Sequence, residues 1–366
     1  MKVAIVHYWW FKTRGGEKVL LELLKIFPEA DLYLHCGSKD LINQERIKIR
    51  HKGNLFFSFV NKIPFINKFY QIFFMIMPFA SETFNFDGYD VIISSESGPA
   101  KNIITPVESV HICYCHSPMR YIWDLNNQYL SSMSRIKKLC FIFISYFARK
   151  TDFLSSNRVD FFISNSSFVK KRIMKFYKKE STVIFPPVDT QKFYLSKKKD
   201  FFIFMGELIE YKKPDIAIEA FNKLKLPLYV IGDGAMIKKL KKHANSNITF
   251  LGRLDDLNVT TYLSEANALI YPGIEDFGII PIEAMASGTP VIAFNAGGAK
   301  DYVENFKTGL LFNDQNSNSL VESVLLFNKN KHVFDSAKIK QYAEAYSSKK
   351  FKTNIKSFIR QKVSTR

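Results

Sequence analysis

Glu275 and Glu283 are two carboxylates with seven residues between them, in the stretch Tyr271-Pro272-Gly273-Ile274-Glu275-Asp276-Phe277-Gly278-Ile279-Ile280-Pro281-Ile282-Glu283. The pattern predicts a strand over Ala268–Tyr271 and a helix with Pro281 in its first turn running to Ser287. Gly288 then ends the helix and Val291 opens the next strand. Glu275 therefore falls in a loop and Glu283 inside the helix, so the two do not share a helical face. The backbone N–H groups around Phe277–Ile280 point out of the helix mouth, which makes a site for an anion such as phosphate. Ionised carboxylates beside it accept hydrogen bonds strongly, which suits hydroxyl groups. The plain alternative is a solvated loop glutamate and a helix glutamate favoured by the dipole. Gly15 and Gly16 sit between a strand and a helix, where backbone can approach a phosphate or simply turn. Cys113, Cys115 and His116 invite a zinc reading, but a second ligand pair is missing and alternation along a strand explains the spacing. Gly232-Asp233-Gly234 lacks the third glycine and the first-strand position of a dinucleotide site.

The elements that must position these groups alternate along the chain. Lys2–His7, Asp90–Ser94, Val110–Cys115 and Asp160–Ser164 read as buried strands of the first half. Phe201–Met205, Leu228–Ile231, Ile248–Leu251, Ala268–Tyr271 and Val291–Phe294 do so in the second. Helices lie between them. Glu17–Phe27 carries an apolar face of Val19, Leu20, Leu23, Leu24 and Phe27, and Pro214–Leu224 one of Ile216, Ala220, Phe221 and Leu224. Such alternation predicts parallel sheets in an α/β fold of two Rossmann-like domains, whose ligands bind beyond the carboxyl ends of strands. The boundary is expected at Pro186-Pro187-Val188, giving domains 1–187 and 188–346. A last helix, Ser347–Arg366, is expected to cross back to the first domain.

A chain of 366 residues exceeds one ordinary domain, and 47% hydrophobic against 23% charged residues excludes a disordered chain. The net charge of +18 favours a polyanionic partner. No basic recognition module appears, so nucleic acid is not expected. Four Cys exclude a dense disulfide framework. Met1 leads directly into a strand, no cleavable leader is evident, and no run reaches the ~18 apolar residues of a membrane span. A cytoplasmic protein is expected. The 35 Phe residues nevertheless suggest a greasy partner. Leu55–Ala80, rich in aromatics with Lys62 and Lys68, has the chemistry of a helix lying in a membrane interface. Leu139–Arg149 is a second such segment, and Phe168–Lys179 adds Lys170, Lys171, Arg172, Lys175, Lys178 and Lys179. Core-packing helices with solvated lysines are the plain alternative for each. Together they point to an anionic membrane surface, with the protein peripheral at the inner face of the plasma membrane.

The order of motifs resembles retaining nucleotide-sugar glycosyltransferases of glycosyltransferase family 4. Glu275 and Glu283 fit that family's glutamate–seven residues–glutamate motif, and Gly15-Gly16-Glu17 its glycine turn. Asn165-Ser166-Ser167-Phe168-Val169, Pro186-Pro187-Val188-Asp189, Gly206 to Lys212, Ile231-Gly232-Asp233-Gly234 and Phe250-Leu251-Gly252-Arg253 follow in register. Cys115-His116-Ser117-Pro118-Met119-Arg120-Tyr121, with Trp123-Asp124, resembles bacterial O-antigen and capsule mannosyltransferases. The resemblance implies a GT-B fold, two Rossmann-like domains facing each other across a cleft, acceptor on the N-terminal one and nucleotide-sugar on the C-terminal one. It implies that Glu283 holds ribose hydroxyls and Glu275 those of the transferred sugar. Phe277, Gly278 and Ile279 amides and Lys212 would meet the diphosphate, and Arg253 the base edge or the diphosphate. His116 would lie beside the reacting sugar, and Arg120 would meet an acceptor phosphate or pair with Asp124. No catalytic metal is implied and no Asp-X-Asp motif is present; the nucleotide-sugar is a substrate, so no cofactor is expected. Glu207 departs from the family, which commonly has Arg there. These features lead to the expectation of hexose transfer, with mannose from GDP-mannose or another sugar from a UDP-sugar, to a lipid-linked glycan of a surface polysaccharide. A noncatalytic nucleotide-sugar-binding protein is the alternative.

Overall fold

The computed structural model describes residues 1–70, 72–131 and 133–364. Its contacts divide the chain into a first unit, Met1–Phe185 with the chain from Lys352 onward, and a second unit, Pro186–Phe351.

The first unit is built on β1 (Val3–Trp10), β2 (Asp31–Gly37), β3 (Leu55–Phe57), β4 (Val91–Glu96), β5 (Val110–Cys115), β6 (Phe161–Ser164) and β7 (Ser181–Val183). They lie in the order β3-β2-β1-β4-β5-β6-β7 with every pairing parallel. Parallel strands are covered on both faces, which is why Val3-Ala4-Ile5-Val6 is apolar without alternation and fully inside. The helix Gly15–Ile26 returns from β1 with Val19, Leu20, Leu23 and Leu24 buried. Strand order reverses between β1 and β4, which places the crevice of this sheet beyond their carboxyl ends.

Three strands here, β2, β3 and β7, go beyond the sequence reading. β3 and β7 are three-residue edges, too short to show a period. β3 also corrects the reading of Leu55–Ala80 as an interfacial helix. Leu55–Phe57 joins the sheet, and the rest breaks into short turns at Phe59–Lys62, Ile66–Phe69, Ile72–Met75 and Met77–Ser81. Pro64 and the left-handed Phe65 (φ 58°) prevent a continuous helix. Arg172 departs from the reading of Phe168–Lys179 as a set of cations for an anionic membrane surface. It turns inward, donating to the Ser117 hydroxyl, the Pro118 carbonyl (3.1 Å) and Asp124 (2.6 Å). Cys113 and Cys115, two apart on β5, share one buried face with Phe162, Val169 and Ile173. No group of metal-ligating side chains is found among the described residues.

The second unit has β8 (Phe202–Met205), β9 (Leu228–Ile231), β10 (Ile248–Gly252), β11 (Leu269–Tyr271), β12 (Val291–Phe294) and β13 (Gly309–Phe312), ordered β10-β9-β8-β11-β12-β13 and all parallel. Order reverses between β8 and β11. The helix Pro214–Leu224 buries Ile216, Ala217, Ala220 and Phe221 against β8, and Ser317–Lys329 adds Leu320, Val324 and Phe327 to the same core. The terminal helix Ser348–Ser364 buries Phe351, Ile355, Phe358 and Ile359, the 3.6-residue spacing of one face. Among the described residues no helix is long and apolar enough to cross a membrane.

Three histidines of the first unit are held neutral. Burial holds His35 and His116 down at about 3 and His111 at about 4. Protonation therefore favours the unfolded chain, whose histidines ionise near 6.5. The stabilisation they carry is complete above that pH and is lost as pH falls from about 6.5 towards 4. Urea midpoints measured between pH 7 and 5 should fall with pH. The limiting slope is about 1.4 kcal/mol per pH unit for each histidine. A flat profile would show that these side chains are solvated.

Candidate functional site

In the second unit the sequence-derived candidates gather where the strand order reverses. β8 ends at Met205, and Gly206 and Gly232 then cross backbone to backbone. Gly232 has φ +132°, and a Cβ on it would sit 1.9 Å from the Gly206 carbonyl oxygen. The chain next forms a tight turn, Glu210–Lys212, and Pro214 opens a helix. Lys212 extends past Gly206, to which a Cβ would bring its Nζ within 3.5 Å. Its ammonium meets Glu275 Oε1 at 3.0 Å, with side chains only 16% and 18% exposed. The sequence suggested a cation for phosphate and a carboxylate for hydroxyls; the structure pairs these two with each other. This is a charge contact without an aligned hydrogen bond, which leaves Glu275 Oε1 able to accept from a hydroxyl.

After Glu275 the loop is held through its backbone carbonyls. Gly298 N–H donates to the Glu275 carbonyl (2.9 Å), and Tyr302 Oη donates to the Phe277 carbonyl (2.9 Å). Gly278 then enters the helix Ile279–Ala286 with φ +92°. A Cβ there would lie 2.7 Å from Tyr271 Oη and 2.8 Å from Tyr302 Oη, so the mouth has room only for hydrogen. Burial, then the negative charge of Glu275, raises both phenols well above their ordinary value and keeps them neutral. Glu283 also acts on Tyr271 through its charge, so both carboxylates flank one tyrosine. Phe277 is buried, and Ile279 and Glu283 are half-buried. Arg253 and Glu207 are exposed; Arg253 follows β10, two strands from β8. The arrangement therefore offers, on one sheet end, an ammonium, two carboxylates and the amides of a helix start.

The first unit carries a second cluster at its own reversal. Gly15 is the first helical residue, and the Arg14 amide donates to Glu17 (2.9 Å) at the helix start. A Cβ on Gly16 would come within 3.5 Å of Tyr8 Oη, 3.8 Å of His116 Nε2 and 3.9 Å of His7 Cε1. Ser95, next to last in β4, joins the two histidines. Its carbonyl accepts from His7 Nδ1 (2.7 Å), and its hydroxyl bonds His116 Nε2 (2.9 Å). His7 Nε2 lies 3.8 Å from Glu17 Oε1. Burial opposes ionisation of Glu17, but His7 and the Arg14 amide outweigh it and hold the carboxyl below the usual range. Burial, with His7 as the lesser cause, keeps His116 neutral, so at neutral pH it is a hydrogen-bonding group rather than a charged one. Asn165, from the Asn165-Ser166-Ser167 motif, donates to the His116 carbonyl (2.8 Å). Ser166 caps the next helix by accepting from Val169 N–H (3.0 Å). Arg120 lies half-buried in the turn after Met119, while Asp124 accepts from Arg172. His7 and Ser95 escaped the sequence reading because each looks like an ordinary residue of a buried strand. Their only signal was a polar side chain at a strand's carboxyl end.

Residues 187–346 match the family of glycosyl transferases group 1. The matched stretch lies within the second unit. Over 171 residues, 45% of this chain, it is 31% identical to an uncharacterised glycosyltransferase of Methanocaldococcus jannaschii, and spans about half (49%) of that relative's length. Over 319 residues it is 25% identical to the alpha-1,3/1,6-mannosyltransferase ALG2 of Candida glabrata, covering 68% of this chain and 67% of that one. Among solved structures it is similar to HepE of Anabaena, crystallised in complex with UDP. The TM-score is 0.73 at 16% identity, with 99% of this chain and 100% of that one covered. At that identity the likeness establishes the fold: two parallel-sheet Rossmann-like domains of the GT-B type.

Gly278 gives a direct test of the helix mouth. Gly278→Ala adds a methyl at positive φ against two tyrosine hydroxyls and should cost about 1–3 kcal/mol. The urea midpoint should drop with an unchanged slope. An undiminished midpoint would show that the mouth is open.

Proposed function

We propose that this chain is a retaining glycosyltransferase that moves a hexose from a nucleotide-sugar to a lipid-linked glycan acceptor in surface polysaccharide synthesis. The observation that carries the reading is the sheet end of the second unit. There Lys212, Glu275, the Gly278 helix mouth and Glu283 come together inside the stretch that matches glycosyl transferases group 1.

Glu283 would accept from the ribose hydroxyls, and Glu275 from those of the sugar. The Phe277, Gly278 and Ile279 amides would face the diphosphate, where negative charge grows as the bond to the sugar breaks. Lys212, already held by Glu275, would neutralise that charge as a point cation. The diphosphate so held would take the proton from the attacking hydroxyl, with no protein nucleophile and no metal called on. Arg253 would reach the base, and Glu207 would leave Lys212 and Lys213 as the cations of this turn. The first unit would bind the acceptor, with Arg120 for a phosphate and with Gly15, Gly16 and neutral His116 as hydrogen-bonding surface near the hydroxyls. Similarity to a mannosyltransferase supports GDP-mannose as donor. The likeness to a UDP-bound structure supports a UDP-sugar as the other choice. A cytoplasmic chain working at the inner face of the plasma membrane fits such an acceptor.

Thermal shifts with GDP-mannose, UDP-glucose and UDP-N-acetylglucosamine test the donor. At 100 times Kd a ligand adds about 2.7 kcal/mol, a plain rise in Tm, and only one base class should give it. Loss of hydrogen bonds to a charged acceptor is worth about 1.5–3 kcal/mol. Glu283→Ala should therefore weaken nucleotide binding about tenfold or more, while Glu275→Ala should bind nucleotide and lose sugar transfer. Full transfer by both variants would remove the site assignment. Donor binding without hydrolysis or transfer to any glycan would favour a nucleotide-sugar-binding protein.

A further inference from the structure

The helix Arg135–Ser156 is inside out. Its buried residues are Ser145, Ala148, Asp152, Ser155 and Ser156, small or polar. Its outward side carries Ile136, Leu139, Phe143, Phe147 and Leu154, at spacings that follow one stripe, and the first three are 79%, 72% and 66% exposed. A helix in water turns its apolar stripe inward, and a contiguous exposed one marks an interaction surface. The adjoining segment between β3 and β4 does the same with Phe59, Phe65, Phe69, Ile72 and Phe79. The two segments touch: Phe74 and Met75 pack with Ala148, and between them lies a cavity of about 310 Å³ whose walls include Pro78, Phe79 and Met119.

Charge decides what covers this surface. Lys62, Lys68, Arg135, Lys137, Lys138 and Lys150 are exposed on the two segments. Asp152, the one acid of the helix, is fully buried, where it accepts from Lys101, Trp123 Nε1 (2.7 Å) and Tyr177 Oη (2.8 Å). In the other segment Glu82 pairs with Arg158 (2.5 Å), and Asp87 and Asp90 come only at the approach to β4, beyond the apolar side chains. A second copy of the chain would set cations against cations. An anionic lipid surface complements them. Lys150, 4.5 Å over the Tyr146 ring, pairs a cation with an amphipathic aromatic as interfacial helices do. We propose that this surface of the first unit lies on an anionic phospholipid bilayer, with the helix Arg135–Ser156 parallel to the membrane plane and its apolar stripe at the acyl boundary. The inference stands on these residues alone and does not depend on the reaction.

Sedimentation of the full chain with phosphatidylcholine vesicles, with and without phosphatidylglycerol, tests it. The chain should pellet with the phosphatidylglycerol vesicles, less so as salt is raised. A triple variant, Ile136→Gln, Leu139→Gln and Phe143→Gln, should lower partitioning at least tenfold. Lys137→Gln, Lys138→Gln and Lys150→Gln should lower it about fivefold per charge. All six side chains are exposed, so circular dichroism and Tm should match the parent. Failure to bind either vesicle, or undiminished binding by the folded apolar triple variant, overturns the proposal. A dimer in gel filtration that the apolar variant dissociates, with no vesicle binding, assigns the surface to a second copy instead.

Discussion

A parallel sheet covered on both faces leaves its chemistry nowhere to go but the strand ends. Each unit meets that constraint at the point where strand order reverses, β1 against β4 in the first and β8 against β11 in the second. There the helices leave in opposite directions and open a crevice. In the second unit this crevice holds an ion pair, Lys212–Glu275, in a loop held by backbone contacts and by the Tyr302 hydroxyl. Gly206 passes Gly232 too closely for any side chain, and Gly298 ties the loop carbonyl of Glu275. In the first unit it holds Ser95 between two histidines. The second site is charged and the first is largely neutral apart from Glu17.

Much of this was legible in the residues. The strand-loop-helix from Leu269 to Val291 could be read because Pro281 suits only the first turn of a helix and Gly288 supplies the positive φ that ends one, and the structure sets the helix at Ile279–Ala286. Two parallel α/β units followed from periodicity. β2 was not read, since His35 and Cys36 interrupt its apolar run, and β3 and β7 are too short to carry a pattern. The Lys212–Glu275 contact was hidden because it joins residues brought together only by the pairing of β8 with β11. For the helix Arg135–Ser156 the residues left two readings open, an interfacial stripe at Leu139–Arg149 or a core-packing one. A sequence shows an apolar stripe but not which side faces the sheet, and here the small residues Ser145 and Ala148 take the inner place.

Two buried lysines show how a cation is kept inside this fold. Lys101 and Asp152 are wholly inside and satisfied by one another, by Trp123 and by Tyr177. Lys198 shows the intermediate case. Burial lowers its ammonium to about 7, and its donors go to the Ser264 carbonyl (2.9 Å) and the Thr289 hydroxyl. Neither partner is charged, so nothing opposes the desolvation.

The terminal helix has a consequence for how the chain is made. Ser348 belongs to the second unit, but from Lys352 onward the helix belongs to the first, where Phe358 packs edge-on against Phe161 of β6. Synthesis runs from the amino end, and domains generally fold as units in that order. Here the whole second unit, Pro186–Phe351, is made before the residues from Lys352 that pack on β6 of the first. Phe161 therefore stays uncovered while the second unit is synthesised, and the first unit is completed after the one that interrupts it.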